Sequence, residues 1–327
     1  MKTIITGGAG FIGSHLAEFL IHKGHKVTII DNLSTGRLSN IEKFKNKVSF
    51  IKADISKLGK WTKNFENTEI VFHLAALADI VPSIQNPQKY FKSNVVGTEN
   101  VISASIKYSI KKLIYAASSS CYGIPKKYPT SEIETIKPQY PYALTKYLGE
   151  EIIMHYAKIY GIKATSFRLF NVYGTRSRTS GTYGAMFGVF LAQKLKKKPL
   201  TVVGDGKQKR DFTYISDVIE AFYKAIKLKK NYQILNLGTG RPVSINQIVK
   251  LLGCKSIYIP KRPGEPDLTS ANINKIKKEL NWQPKISIKE GINHLLNDIN
   301  YWNKAPVWTP KKIEFATRDW FKYLGRK

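Results

Sequence analysis

Tyr142 and Lys146 stand four residues apart in the stretch Pro141-Tyr142-Ala143-Leu144-Thr145-Lys146. Proline in a first turn and the pattern that follows predict a helix, so phenol and ammonium project from one face, one turn apart. A free tyrosine with a pKa near ~10 is a poor base at neutral pH, and a neighbouring positive charge favours its phenolate. The pair is therefore expected to take a proton from an alcohol. Just upstream, Lys112-Leu113-Ile114-Tyr115-Ala116-Ala117 reads as a buried strand followed by Ser118, Ser119, Ser120, Cys121, Tyr122 and Gly123. That puts serine hydroxyls at a strand's carboxyl end. The plain alternative is an exposed lysine one turn from a half-buried tyrosine on an ordinary helix.

The elements before this stretch decide between the two readings. Thr3 to Thr6 has a buried-strand pattern, and Gly7-Gly8-Ala9-Gly10-Phe11-Ile12-Gly13 follows it and opens a helix that reads to Lys23, with Gly24 as its stop. Gly7 permits a tight turn, Gly10 lets backbone approach a pyrophosphate, and Gly13 lets helix pack on strand. The unpaired N–H groups of a helix N-terminus bind anions. The next strand, Lys26 to Ile30, ends in Asp31, about twenty residues on, where a carboxylate takes an adenosine ribose 2'-hydroxyl. That favours NAD over NADP, although Arg37 nearby keeps the phosphorylated form open. Val48 to Ala53 and Glu69 to Leu74 read as further strands, followed by Asp54-Ile55 and by the small pair Ala75-Ala76.

A long helix is expected from Pro87 through Asn94 and Gly97 to Tyr108. Strands alternating with helices at this spacing predict an α/β fold, a doubly wound parallel sheet of the Rossmann kind with a second, smaller substrate-binding lobe. Residues 1–174 and 212–243 are assigned to the dinucleotide-binding domain, and 175–211 and 244–327 to the lobe with its C-terminal extension. Arg176 to Gly184, rich in Arg, Ser, Thr and Gly, is read as the exit from the sheet. The helix from Ser216 and the strand Gln233 to Leu237 return to it. Gly7 to Gly13, Asp31, Ala75 and Ser118 all fall beyond strand carboxyl ends, where such sheets bind ligands.

Composition narrows the classes. A net charge of +30 admits a nucleic-acid partner. The lysines are spread over presumed outer helix faces, however, with no basic arm interleaved with aromatics, so no nucleic-acid function is expected. The same field draws in an anionic substrate. No apolar run reaches the ~20 residues of a membrane span. The chain runs from Met1-Lys2 straight into a strand, so no signal peptide is expected. Two cysteines make no disulfide framework, which suits a reducing cytoplasm, and six scattered histidines show no metal-ligand spacing, so no metal is expected.

With these residues assembled, the sequence resembles the extended short-chain dehydrogenases/reductases, in the branch of NAD-dependent nucleotide-sugar epimerases and dehydratases, and most resembles UDP-hexose 4-epimerases. The resemblance covers roughly residues 1 to 300 and includes His73-Leu74-Ala75-Ala76, Gly97-Thr98, Tyr122-Gly123, Arg168 to Gly174, Arg210-Asp211-Phe212, Asn236 to Gly240 and Arg262-Pro263-Gly264-Glu265. It implies that Tyr142 is the base, Lys146 its electrostatic partner and a ligand of the nicotinamide ribose, and Ser118 the partner of the reacting hydroxyl. It further implies that NAD is held by Gly7, Gly10, Phe11, Ile12, Gly13, Asp31, Asn32, Ser34, Gly36, Asp54, Ile55, Leu74, Ala75, Ala76, Asn94, Tyr142, Lys146 and Phe170. The nucleotide sugar would meet Ser83, Ser118, Asn171, Thr201, Val203, Arg210, Arg262, Glu265 and Thr269. A bidentate guanidinium suits phosphate oxygens better than an ammonium does. The alternative for Arg210 is a structural salt bridge with Asp211 or Asp217.

The reaction turns on Ser119 and Ser120. In 4,6-dehydratases of the family these positions resemble an Asp-Glu pair, and in its decarboxylases the second is Glu. Losing a proton-transfer group costs ~100-fold or more, so serine at both leaves reversible hydride transfer at carbon 4 of a UDP-hexose. Thr269, where the family limits room at carbon 2, is small enough to admit an N-acetylamino sugar. Alternatives are a UDP-glucuronate 4-epimerase, another epimerase or a keto-sugar reductase. A homodimer through the two long helices is implied. From Trp302 the chain departs from the family, with a tail helix whose Ile313, Phe315, Ala316, Trp320, Phe321 and Leu324 are expected to pack on the body or on a partner chain.

Overall fold

The computed structural model of the protein describes residues 1–178 and 185–325. Seven strands form one parallel sheet in the spatial order Gln233–Leu237, Lys163–Leu169, Lys112–Ser118, Ile70–His73, Lys2–Thr6, Lys26–Asp31, Val48–Lys52. The chain builds outward from Lys2–Thr6 to one side, then restarts at Ile70–His73 and builds to the other. The switch point lies between those two strands, and ligands of open α/β sheets bind outside it.

Both faces of the sheet are covered, which is why its strands read as unbroken apolar runs. Ile5 packs with Leu16, Ala17 and Phe222 on the side of helices Phe11–His22 and Ile215–Ala225. Ile4 packs with Val101, Ile102 and Ile153 on the side of helices Gly97–Lys107 and Pro141–Tyr160. Successive residues thus feed opposite cores, and full burial of each such side chain contributes about 1.5–3 kcal/mol.

The helix Pro141–Tyr160 starts on its proline and stops at Gly161, whose φ is +74°. A Cβ on Gly149 would lie 2.5 Å from the Tyr115 hydroxyl, so only glycine lets this helix settle onto the strand Lys112–Ser118. That close approach brings Tyr142 over the strand's carboxyl end. The long helix expected from Pro87 is interrupted, because Pro87–Phe91 and Gly97–Lys107 are joined by a π-helical turn at Lys92–Val96. Such turns are rare and cluster at functional sites.

Smaller two-stranded sheets flank the carboxyl ends: Asn171–Tyr173 with Phe212–Tyr214, Lys209–Arg210 with Val243–Ser244, and Leu200–Val203 with Ser256–Ile259. Asn171–Tyr173 follows Lys163–Leu169 after a single residue and pairs outside the main sheet. Of the segment read as the exit from the sheet, Thr179 to Gly184 lie outside the described residues. The tail helix Pro310–Leu324 corrects the expected apolar face, for it buries Ile313, Thr317 and Trp320 while Phe315 is 69% exposed. Positions i, i+4 and i+7 share a face, and Phe315 falls opposite. Among the described residues, no helix is long and apolar enough to cross a membrane, and no group of three His, Cys, Asp or Glu side chains is placed to hold a metal.

Candidate active site

A cavity of about 730 Å³ opens above the switch point. On one side is the glycine turn. Gly7 has φ +73°, and a Cβ there would stand 2.7 Å from the Ala75 nitrogen; one on Gly13 would stand 2.2 Å from the Gly7 carbonyl oxygen. A side chain at either position would wedge strand, turn and helix apart. Asp31 is buried, and its carboxylate accepts from the Ala9 N–H at 3.0 Å and the Leu33 N–H at 2.8 Å. Burial nonetheless leaves its pKa above the usual carboxylate value, the two donors only partly opposing that shift.

Gly7, Gly10, Phe11, Ile12, Gly13, Asp31, Asn32, Ser34, Asp54, Ile55, Leu74, Ala75, Ala76 and Phe170 all line this cavity. Gly36 does not; it passes over Asp31, where a Cβ would meet the carboxylate oxygens at 2.8 Å. Asn94 is also off the cavity wall. It lies in the π-helical turn, fully buried, with its amide exchanging bonds with Leu77 N–H and carbonyl at 2.8 and 2.9 Å and donating to Thr145 at 3.1 Å. It shapes the loop after Ile70–His73 instead of facing a ligand. Arg37 bonds the Tyr301 hydroxyl. The cradle fits a dinucleotide: unpaired helix N–H groups, backbone bare of Cβ atoms and a carboxylate at the next strand's end.

Hydroxyls fill the middle of the cavity. Tyr142 bonds Ser118, whose oxygen lies 2.8 Å from that of Ser120, and Ser120 bonds Tyr140. The Ser120 N–H donates to Ser118 at 3.2 Å, fixing the short 3-10 turn Ser119–Tyr122 at the strand end. Tyr140 and Tyr142 stack at 6.3 Å with 9° between their planes.

Lys146 departs from the expected geometry. Its Nζ rests on the face of Tyr115, 4.1 Å from the centroid, and does not line the cavity. Burial holds its pKa down at about 7, with Glu150 opposing the shift. Burial also pushes the Tyr142 phenol up, against the Ser118 hydrogen bond, and Asp79 pushes it the same way. The expected acidification of Tyr142 by its neighbour is therefore absent here, since both groups are desolvated and desolvation opposes charge on each. Beneath them, Arg168 is locked to Glu150 at 2.6 Å and donates to the Tyr122 hydroxyl at 3.0 Å, which donates to Asn236 at 2.7 Å. Burial pushes the Cys121 thiol up to about 12, which suits an inert core residue.

Asn171, Thr201, Val203, Arg210, Arg262, Glu265 and Thr269 line the far end. Arg210 pairs with Glu265 at 3.0 Å, and Arg262 approaches the same carboxylate at 3.9 Å. Neither Asp211 nor Asp217 is Arg210's partner: Asp211 accepts from Thr239, Gly240 and Ala271, and Asp217 from the Lys285 and Ile286 N–H groups. Two guanidinium groups around one carboxylate leave positive charge facing the cavity. Thr269 accepts from Asn171 at 3.1 Å and from the Asp211 N–H at 3.2 Å. Ser83 is off the wall, buried with its hydroxyl on the Ile80 carbonyl at 2.6 Å.

Sequence reasoning missed Tyr140, Asp79, Arg178, Trp308 and Trp320, all of which line the cavity. Asp79 and Arg178 pair at 2.5 Å. Only Tyr140 carried a local signal, as the residue directly before Pro141.

A doubly wound parallel sheet with a glycine cradle at its switch point and serine and tyrosine hydroxyls at the neighbouring strand end defines the extended short-chain dehydrogenase/reductase class. The chain belongs to the NAD dependent epimerase/dehydratase family, which matches residues 3–238. NAD is thus its cofactor. It is 34% identical to a UDP-glucuronate 4-epimerase of Thermodesulfobacterium geofontis, over 95% of this chain and 98% of that one. A UDP-N-acetyl-alpha-D-glucosaminuronate decarboxylase of Bacillus cytotoxicus is 32% identical over 90% of this chain and 96% of its own. Among solved structures, the UDP-glucose 4-epimerase of Thermotoga maritima with UDP-glucose superposes with a TM-score of 0.86. It is 34% identical and is covered to 99% by 93% of this chain.

Proposed function

We propose that the protein is an NAD-dependent nucleotide-sugar 4-epimerase of UDP-hexoses, interconverting UDP-glucose with UDP-galactose and UDP-N-acetylglucosamine with UDP-N-acetylgalactosamine. One observation carries the reading: the Tyr142–Ser118–Ser120 hydroxyl chain faces the cavity with no carboxylate at position 119 or 120. Elimination of water or loss of carbon dioxide needs an acid or base there, and serine supplies neither. The names of relatives divide between epimerases and decarboxylases, so these residues have to discriminate.

When bound, NAD supplies a hydride acceptor and, later, the same hydride. Gly7, Gly10 and Gly13 would admit its pyrophosphate and Asp31 its adenosine ribose, while Lys146 would have to swing from the Tyr115 face to reach its nicotinamide ribose. Tyr142 takes the proton of the sugar's 4-hydroxyl while Ser118 holds that oxygen, and Tyr142 returns the proton to the same oxygen once the 4-keto sugar has turned over. Arg210 and Arg262 grip the diphosphate, which leaves the ring free to rotate. Glu265, held by the arginines, lies near the nucleotide's ribose, and Thr201 and Val203 flank the base. Thr269 leaves room for an N-acetyl group at carbon 2.

Separate incubations with UDP-glucose, UDP-N-acetylglucosamine and UDP-glucuronate, read by chromatography for the 4-epimer, test this. Formation of the first two epimers supports it; turnover of the glucuronate alone replaces it with a uronate epimerase. Tyr142→Phe should keep NAD and lose about 100-fold or more of the activity. We also propose a homodimer through helices Gly97–Lys107 and Pro141–Tyr160, the second of which exposes Leu144, Ile159 and Tyr160. A monomer by sedimentation at micromolar concentration would refute the dimer.

A further inference from the structure

The C-terminal segment from Trp302 reaches the cavity at two points. Trp320 is 4% exposed and forms part of the wall. Its indole N–H donates to the Pro263 carbonyl at 2.7 Å, inside the loop that carries Arg262 and Glu265. The Arg262 guanidinium stands over its ring, 5.3 Å from the centroid. On the same ring's other contact, Tyr140 lies 6.4 Å away, stacked in turn on Tyr142. Farther along the wall, the Trp308 carbonyl accepts from Gln193 at 2.7 Å, and Gln193 bonds the side chain and backbone of Thr201 at 2.9 and 3.2 Å. Asp319 anchors the helix from outside through Gln85 at 2.7 Å.

Simple tail packing would need only apolar contact. Here a directional hydrogen bond ties the helix to the arginine loop, and a π face lies under the guanidinium. An arginine held between the Glu265 carboxylate and an indole has lost much of its rotamer freedom before a ligand arrives, which favours binding.

We infer that Trp320 is a positioning residue for the substrate's diphosphate: it fixes Arg262 in the cavity wall, making the C-terminal helix a built part of the nucleotide-sugar site. This rests on the reading of the cavity as a UDP-sugar site. Trp320 does no chemistry; it acts through Arg262, on binding.

The test is calorimetric binding of UDP to the NAD-loaded full chain in four forms: wild type, Trp320→Phe, Trp320→Leu and Arg262→Ala. Leucine keeps apolar bulk but offers no π face, so UDP should bind about tenfold more weakly. Phenylalanine, which keeps the π face but loses the hydrogen bond to Pro263, should restore part of the affinity. For Trp320→Leu, KM for the sugar should rise while kcat at saturation and NAD content hold. Wild-type affinity in Trp320→Leu, with Arg262→Ala impaired, overturns the inference and leaves the UDP-sugar reading intact. Equal weakening by Leu and Phe also overturns it, because the ring under the Arg262 guanidinium would then contribute nothing beyond the Pro263 hydrogen bond that both variants lose. Undiminished UDP binding by Arg262→Ala instead overturns the reading of the site itself. If Trp320→Leu does not fold, Trp320→Met, flexible enough to fill the same space, takes its place.

Discussion

Replacing Lys146 by methionine should make the nucleotide-free protein more stable while ending turnover. The lysine is 3% exposed, stands on the Tyr115 ring, and has as its nearest acidic partner Glu150, which is already engaged by Arg168 and Ser166. Burial takes its pKa from 10.5 to about 7. A lowered value in the fold means that the unfolded chain holds the proton more tightly between those two values. The lysine's contribution to stability is therefore full above pH 10.5 and is lost as pH falls through about 7. At about 1.4 kcal/mol for each tenfold step, protonation at pH 7 corresponds to roughly 5 kcal/mol of cost. Methionine forfeits a cation–π contact of about 1–2 kcal/mol, so a net gain of roughly 3 kcal/mol is expected.

Urea unfolding of both proteins, stripped of nucleotide, in steps from pH 7 to pH 9.5 reads this directly. Other titrations cancel in the difference between the two. The variant should lead by most at pH 7, and its lead should shrink as pH rises. A variant less stable than wild type at pH 7, or a lead that stays constant with pH, would refute the assignment of Lys146 as a desolvated charge. A gain in stability coupled to loss of turnover is what a strained functional group predicts.

Two further outcomes follow from distances already given. Gly13→Ala puts a methyl 2.2 Å from the Gly7 carbonyl oxygen, backbone that cannot yield cheaply, so purified protein should lose its NAD and about 1–3 kcal/mol of stability, measured by absorbance after denaturation and by urea melts. Thr269→Tyr removes the acceptor of Asn171 and of the Asp211 N–H, lowering turnover of all substrates, but should lower kcat/KM for the N-acetylated sugar about tenfold more than for UDP-glucose. Equal losses on the two sugars would separate Thr269 from substrate choice.

The sheet and the glycine cradle were legible because their causes are local. A strand buried on both faces must be apolar throughout, and a turn closed by Gly7 and Gly13 tolerates no Cβ, so each leaves a mark within a few residues. The serine strand end and the tyrosine helix were legible for the same reason. Arg210 was harder, because its partner lies 55 residues on, at Glu265, while the acids beside it turn to backbone N–H groups. The π-helical turn left no mark, since Lys92 to Val96 differ in nothing visible from an ordinary helix and the turn answers to Asn94's bonds with a loop.

Electrostatics was the least legible layer, and Lys146 shows why. Spacing fixes the angle between two side chains on a helix, but a charge's effect on its neighbour depends on how much water each retains, which is a property of the finished core. At the surface, four residues between phenol and ammonium would ease ionisation of the phenol. Under the Tyr115 ring and the π-helical turn, the same spacing leaves Tyr142 raised and Lys146 lowered, both favouring their neutral forms. Burial thus sets the protonation of both groups more than the spacing between them does, a layer that no count of residues along the helix can reveal.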